Sequence, residues 1–345
     1  MASRKLAIMV VIVAGLGIVA MELWKGQLQS GAPTESTPIV KSYFLPDISD
    51  QIASLDRVRI QSQSGEVNLI KFDDQWVLQE NFNFPIFQQT LNQLLNGLVV
   101  ARQIEKKTNR PRFYDRLGVA NLQDADPSDA GHQVSLIAGD RVLAELMLGK
   151  TSPRRGGSYG RLLSEKTSWL IDQTFQLSTE PDFWLVKSVA NLQPNAIRQV
   201  FFRNELKPLV VFRESPGQPF GLRNPPKTGQ PIQPELLDQV GEALTNLTFV
   251  QVVPAWQVMV DSVLVKADFE TYRGLVVEVQ GAIQIDQLML SLKAVNFLTD
   301  SDPAYEQVED EVARLNGNWQ DWVYIVDGNS FERFNRKLED FWSFD

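Results

Sequence analysis

Two clusters of basic residues are the features of this sequence with the clearest binding chemistry. The first precedes a Leu-Gly pair, and the second surrounds the glycine pair at 156–157. Arginines beside a glycine loop can hold a phosphate or lipid head group, because guanidinium groups donate paired hydrogen bonds to such anions. A hairpin loop with solvated charges explains the same pattern, so both interpretations stay open. The candidate residues for binding a partner or an anion are Arg102, Lys106, Lys107, Arg110, Arg112, Arg116, Lys150, Arg154, Arg155 and Arg161.

Residues suited to catalysis or metal binding are scarce. The 345 residues include no cysteine and one histidine, His132, which excludes thiolate metal sites and any mechanism that needs two imidazoles. His132 lies in the turn-rich segment DADPSDAGHQ, and we predict an exposed loop residue there. The acidic residues of 300–311 lack the spacing of an EF-hand loop. They are typical of a solvated helix that starts near Asp302-Pro303 and stops at Asn316-Gly317. We therefore predict no catalytic residue, metal ligand or cofactor.

The charge of the chain is unevenly distributed. The formal net charge is −9, which argues against nucleic acid as a partner, because such binding relies on neutralising phosphates. In residues 1–25, however, Arg4, Lys5 and Lys25 outnumber Glu22. The composition, 43% apolar and 22% charged, is that of an ordinary globular protein, and the length suits about two domains.

An apolar segment near the N-terminus predicts a membrane anchor over residues 1–25. The 19 residues from Leu6 to Trp24 would form a helix of about 28 Å, close to the roughly 30 Å hydrocarbon core of a bilayer. Arg4 and Lys5 place the short N-terminus in the cytoplasm by the positive-inside rule, and Trp24 suits the far interface. A cleaved signal peptide is the alternative, although neither Ala20 nor Ala32 completes a good cleavage site.

The rest of the chain is predicted to contain two similar modules. Residues 26–48 form a stalk or linker rich in small and polar residues. In the modules, 49–188 and 189–345, alternating apolar residues predict antiparallel strands, followed by a helix and more strands. The predicted helices cover residues 86–98 in the first module and begin at Pro234 in the second, reaching Leu247. The predicted fold class is α+β: an N-terminal transmembrane helix followed by two duplicated modules of antiparallel β-meander packed with helices.

Several segments together resemble a known bacterial family. They are FDDQWVLQ, KTNRPRFYDRLGV, LMLGK and the glycine-rich loop that leads into SYGRLLSEKTSWLID. With the short N-terminal apolar segment, they resemble the domain-of-unknown-function 4340 family over most of residues 50–190, and more weakly beyond. The NPPKTGQPIQP loop and the acidic residues of 300–311 depart from that pattern. Members are often encoded beside the permease and ATPase of an ABC-type transporter related to the gliding-motility system. The family has no assigned catalytic residues to carry over.

The resemblance and the residues together lead to one functional prediction. We expect a non-enzymatic auxiliary subunit of an ABC-type transport complex, anchored once in the bacterial inner membrane with its body in the periplasm. The implied partners are the permease and ATPase subunits. An alternative is a binding module for a lipid, glycan or peptide, which requires a concave pocket between the modules. A third class is a hydrolase built on a pair of carboxylates.

Overall fold

The computed structural model describes residues 42–203, 209–231, 235–259 and 262–343. Contacts group residues 44–345 into one compact unit. The predicted anchor from Leu6 to Trp24 and most of the predicted stalk lie outside the described residues. Within the described ranges, no helix is both long and apolar enough to cross a membrane.

The first half of the described chain forms a nine-stranded antiparallel sheet. The alternation of apolar and polar residues sets the register of its strands. Val58 lies opposite Leu69 and Ile60 opposite Val67, and all four side chains are buried. The strands are β1 Arg57–Ser62, β2 Gly65–Phe72, β3 Gln75–Leu78, β4 Phe84–Pro85, β5 Gln103–Lys106, β6 His132–Ala138, β7 Arg141–Thr151, β8 Ser158–Leu162 and β9 Ser168–Ile171. Their order across the sheet is β4-β3-β2-β1-β6-β7-β8-β9-β5.

The second half forms an eight-stranded antiparallel sheet and contributes to two small ones. The strands are β10 Ser188–Ala190, β11 Ile197–Phe202, β12 Leu209–Phe212, β13 Gly221–Leu222, β14 Gln230–Pro231, β15 Leu247–Thr248, β16 Gln251–Pro254, β17 Val265–Thr271, β18 Leu275–Gln284, β19 Gln287–Asn296, β20 Trp322–Val326 and β21 Trp342–Ser343. The large sheet has the order β13-β12-β11-β17-β18-β19-β20-β16, while β10 pairs with β15 and β14 with β21. The α+β class is confirmed.

The two large sheets connect their strands in the same order. Each sheet contains a later meander of four consecutive strands, β6–β9 in the first sheet and β17–β20 in the second. The first strand of each sheet in chain order pairs with the first strand of that meander, β1 with β6 and β11 with β17. The strand that comes directly before the meander in the chain lies at an edge of the sheet, next to the meander's last strand: β5 lies beside β9, and β16 lies beside β20. The predicted module boundary at 188/189 falls at the start of β10.

The helices are few and mostly short. They are α1 Ile48–Gln51, α2 Gln88–Val100, α3 Glu235–Asp238, α4 Tyr305–Trp319 and α5 Gly328–Glu332. The helix α2 buries Leu91, Leu94 and Leu98, as its spacing predicted. Phe44, Leu45 and Ile48 are also buried in the core, so the linker ends before Phe44 rather than at residue 48.

Two helix predictions for the second half are wrong. The helix expected to reach Leu247 ends at Asp238 and gives way to a 3₁₀ turn, Gln239–Glu242, while its predicted start at Pro234 lies outside the described residues. Gly241, which packs so closely on the Phe220 ring that a Cβ would lie 2.8 Å from it, is a poor helix former within the predicted helix.

The second wrong prediction concerns the end of α4. It continues past Asn316-Gly317 to Trp319. Asn316 does not terminate the helix, because its side chain hydrogen-bonds both the N–H and the carbonyl of Ala294, at 2.7 and 2.9 Å. Trp319 is buried and donates from Nε1 to the carbonyl of Val189, at 2.8 Å.

One hydrophobic core runs through both halves. Side chains of both large sheets, of α2 and α4, and of the connection around Trp184 belong to a single contiguous cluster. Aromatic contacts cross between the halves: Phe84 of β4 packs edge-on against Phe249 and Trp322, with ring centroids 5.4 and 4.9 Å apart. Since each sheet covers apolar surface of the other, we expect the two to unfold together.

Candidate binding site at the edge of the first sheet

The fold brings the two basic clusters together at one carboxylate. β5 pairs with β9, and β9 pairs with β8, which follows the glycine loop. Glu105 on β5 accepts from Lys107 of the first cluster, at 3.0 Å, and from Arg155 of the second, at 2.8 Å. The hydrogen bond from Lys107, then the positive charges of Lys107 and Arg155, lower the pKa of Glu105 below its ordinary value.

The chain that follows β5 forms a shallow groove of about 500 Å³. Three cations and one aromatic ring dominate it, and the Arg116 guanidinium stacks over the Phe113 ring with 5.4 Å to the centroid. Arg112 stacks over the same ring at 4.7 Å. We name this feature the cationic groove; its lining residues are Lys107, Thr108, Asn109, Arg110, Phe113, Arg116 and Leu117.

Backbone hydrogen bonds hold the cationic groove against β9. The Lys107 N–H donates to the carbonyl of Ser168 at 2.9 Å, and the Ser168 N–H donates to the carbonyl of Thr108 at 2.8 Å. Pro111 then starts a 3₁₀ turn, as its fixed φ favours. The buried Tyr114 hydroxyl donates to the carbonyl of Lys166. The groove segment is therefore tied to the first sheet near both of its ends.

Three glycines anchor the far end of the same segment. A Cβ on Gly131 would lie 2.2 Å from the carbonyl oxygen of Gly118, and a Cβ on Gly149 would lie 2.1 Å from that of Leu117. Gly118 itself has a φ of 71°, in the left-handed region. The sequence motifs RLGV and LMLGK therefore meet in a backbone-to-backbone contact that only glycine permits.

The ten predicted binding residues have different environments. Lys107, Arg110 and Arg116 line the cationic groove, with Arg112 on its Phe113 ring and Arg155 joined through Glu105. Lys106 and Arg154 are exposed. Arg102, also exposed, precedes β5, and Lys150 pairs with Asp129.

Arg161 has a structural role in this region. It is only 4% exposed. Its guanidinium donates to the carbonyl of Val119 at 2.9 Å and to the side chain of Asn121 at 2.6 Å, and it stacks on the Tyr114 ring at 4.7 Å. Burial lowers its pKa below the ordinary value for arginine. Its donors serve the protein's own acceptors, so Arg161 supports the groove segment from beneath.

Sequence reasoning missed the residues that join the clusters. Thr108, Asn109 and Phe113 lie in the KTNRPRFYDRLGV motif but were not singled out as binding residues, and the importance of Glu105 follows from the pairing of β5 with β9. Among the described residues, no group of three or more His, Asp or Glu side chains is arranged to hold a metal ion.

His132 is not the exposed loop residue that the sequence predicted. It is the first residue of β6, lies opposite Leu148 and is half-buried. The preceding residue, Gly131, is itself buried against the Gly118 backbone. Burial lowers the pKa of His132 below its ordinary value of 6.5.

The histidine gives a testable pH dependence of stability. As the pH falls below 6.5, the unfolded chain takes up a proton that native His132 resists. Stability is therefore complete above pH 6.5 and declines towards the lower native pKa. Urea unfolding between pH 7.5 and 5 should show a smaller decline for His132→Gln than for the wild type. Identical declines would mean that burial of His132 does not contribute to the pH dependence of stability.

A comparison with protein-family models identifies the chain. A model described as "Domain of unknown function (DUF4340)" matches residues 76–270, more than half of the chain. The chain belongs to the DUF4340 family. The predicted resemblance is confirmed, and the match extends from β3 to β17, further into the second half than the sequence motifs indicated. It includes the whole cationic groove. No match was found among curated proteins or among solved structures.

Proposed function

We propose that this DUF4340 protein is a non-enzymatic auxiliary subunit of an ABC-type transport complex. In this proposal the segment from Leu6 to Trp24 anchors it in the bacterial inner membrane, and the two-sheet body lies in the periplasm beside the permease. The observation that carries the proposal is the cationic groove, a locally positive surface on a chain of net charge −9.

The charge balance supports a local contact rather than broad attraction. An acidic body is repelled by the anionic surface of a membrane, so long-range attraction cannot bring it there. Three cations around one aromatic ring suit carboxylates presented by a partner, because arginine binds a carboxylate through paired hydrogen bonds. We propose an acidic extracytoplasmic loop of the permease as the group that binds there.

The body is proposed to consist of two duplicated modules, residues 49–188 and 189–345. The shared strand order of the two large sheets supports this. The cationic groove follows β5, and the corresponding strand of the second sheet, β16, is followed by an uncharged turn, Ala255–Gln257. Under this proposal one copy keeps the partner surface and the other has diverged.

Charge reversal in the cationic groove tests the proposal. The double variant Arg110→Glu with Arg116→Glu should reduce recovery of permease and ATPase, in purification from mild-detergent membranes, by tenfold or more. The introduced glutamates would face the acidic loop with the same sign of charge, and like charges across a contact surface both slow association and weaken the complex. Both side chains are exposed, so the melting temperature should not change.

A matched control and a graded variant complete the experiment. Arg57→Glu with Lys293→Glu reverses two exposed cations outside the groove and should leave recovery intact. Arg154→Glu with Arg155→Glu should have a smaller effect than the groove variant, because Arg155 is already paired with Glu105. Equal recovery from the groove variant and the wild type would reject the groove as the contact. Recovery of the wild-type chain alone would reject the transport complex.

A further inference from the structure

A cleft of about 640 Å³ opens where the two halves of the body meet. Gln75, Phe84 and Ile86 of the first half form one side. The opposite side comes from Leu275 of β18 and Trp322 of β20, with the C-terminal part of α4 beside them. We name it the seam cleft. Its volume lies within the roughly 300–1,000 Å³ of small-molecule sites, which occur preferentially between domains.

The floor of the seam cleft is apolar and preformed. Phe84, Ile86, Leu275 and Leu315 are buried, yet each faces the cleft. Trp322 is half-buried, and its ring meets Phe84 edge-on with the centroids 4.9 Å apart. A contact between aromatic rings from the two halves fixes the floor, so an apolar ligand would find the surface already shaped.

The rim is polar and carries two arginines. Arg273 lies in the turn between β17 and β18, is exposed, and makes no ion pair or hydrogen bond with the described residues. Arg314 lies in the last turns of α4, with its guanidinium 4.0 Å from the carboxylate of Glu311. Gln75, Gln193 and Asn318 add amide groups. The Arg273 guanidinium is therefore available to an anion at the mouth, with Arg314 and its distant partner Glu311 also lining the cleft.

We propose that the seam cleft binds an anionic amphiphile, with its apolar body against Phe84, Leu275 and Trp322 and its anionic head at Arg273 and Arg314. A free inorganic anion would leave the apolar floor uncovered, and an uncharged hydrocarbon would leave Arg273 without a charged partner. A molecule with both parts satisfies both surfaces. The cleft is separate from the cationic groove, so this inference does not depend on the proposed transport partner.

Photocrosslinking tests the inference on the purified full chain. The probe is a diazirine analogue of decanoate, with crosslinked peptides identified by mass spectrometry. We expect crosslinks in the peptides that contain Phe84, Leu275 or Trp322, because these residues form the floor. Excess decanoate should remove them, whereas excess decanol or sodium sulfate should not, since each has only one of the two required parts.

Matched variants identify the head-group site. Arg273→Gln with Arg314→Gln should reduce the cleft crosslinks tenfold or more with an unchanged melting temperature, because both side chains are exposed. Arg57→Gln with Lys293→Gln removes the same charge elsewhere and should leave them unchanged. Competition by decanol equal to that by decanoate would overturn the anionic head. Crosslinks restricted to residues 1–41, or spread over the surface, would overturn the site itself.

Discussion

Replacing Trp184 with alanine is expected to lower the free energy of unfolding by about 3–5 kcal/mol, the usual cost of removing a large buried aromatic side chain. Trp184 is 0% exposed, and its Nε1 donates to the carbonyl of Ser178 at 2.9 Å. Its own carbonyl accepts from the N–H of Phe87 at 2.7 Å, just before α2 begins. Trp184 belongs to the hydrophobic cluster that includes residues of both halves, so the cavity would weaken that shared core.

Urea unfolding followed by circular dichroism would measure the effect of Trp184→Ala. Trp256→Ala is the matched control, because Trp256 is 79% exposed and its removal leaves no cavity. We expect that control to shift stability by less than about 0.5 kcal/mol. The stability cost of Trp184→Phe should lie between those of the two alanine variants, because phenylalanine retains most of the apolar volume but lacks the Nε1 donor to Ser178. A cost for Trp184→Ala no larger than for Trp256→Ala would contradict the burial of this ring in the core.

Gly131→Ala is expected to cost about 3 kcal/mol, the upper part of the usual range for overpacking. The added Cβ would lie 2.2 Å from the carbonyl oxygen of Gly118 and 2.4 Å from that of Leu148, and backbone atoms cannot rotate aside. Relief requires the segment around Gly118 to move away from β7. Because this segment ends the cationic groove, the variant should also reduce partner recovery.

Comparing the melting temperatures of Gly131→Ala and Gly317→Ala separates the steric clash at Gly131 from the general effect of replacing a glycine with alanine. Gly317 lies in α4, and a Cβ added there would meet no atom within 4 Å. Alanine at this position should therefore raise stability by up to about 1 kcal/mol through helix propensity. Shifts of opposite sign are the expected result. A stabilised Gly131→Ala would show that the backbone contact between the two loops is looser than the structure has it.

Local patterns predicted the local elements well. Alternation at Val58 and Ile60 predicted β1, and the helical spacing from Leu91 to Leu98 predicted α2, because each depends on one buried face. The strand β17 was missed. It is central in the second sheet, and its buried Val265, Ala267 and Phe269 alternate with Lys266 and Asp268, which is the pattern of a half-covered strand, so the signal was present in the sequence. The family was also recognisable, since its motifs are short and contiguous.

The candidate sites required contacts between residues far apart in sequence. Nothing in the spacing of Lys107 and Arg155 indicates that Glu105 joins them, because that depends on β5 crossing to the far edge of the sheet. The seam cleft likewise depends on Phe84 meeting Trp322. Arg161 looked like its neighbours in sequence, yet it is buried, since strand alternation turns it towards Val119. Sequence could supply the residues but not their neighbours.

The position of β1 has a consequence for how the chain is made. β1 ends at Ser62, yet its inner neighbour β6 does not begin until His132. During synthesis from the N-terminus, one edge of β1 can pair with β2 at once, but the edge that β6 covers emerges long before its partner and stays unpaired. The second sheet repeats the delay, with β11 complete at Phe202 and β17 starting at Val265. Unpaired apolar strands pair readily with other chains, so each nascent half passes through an interval in which a chaperone would protect it from aggregation.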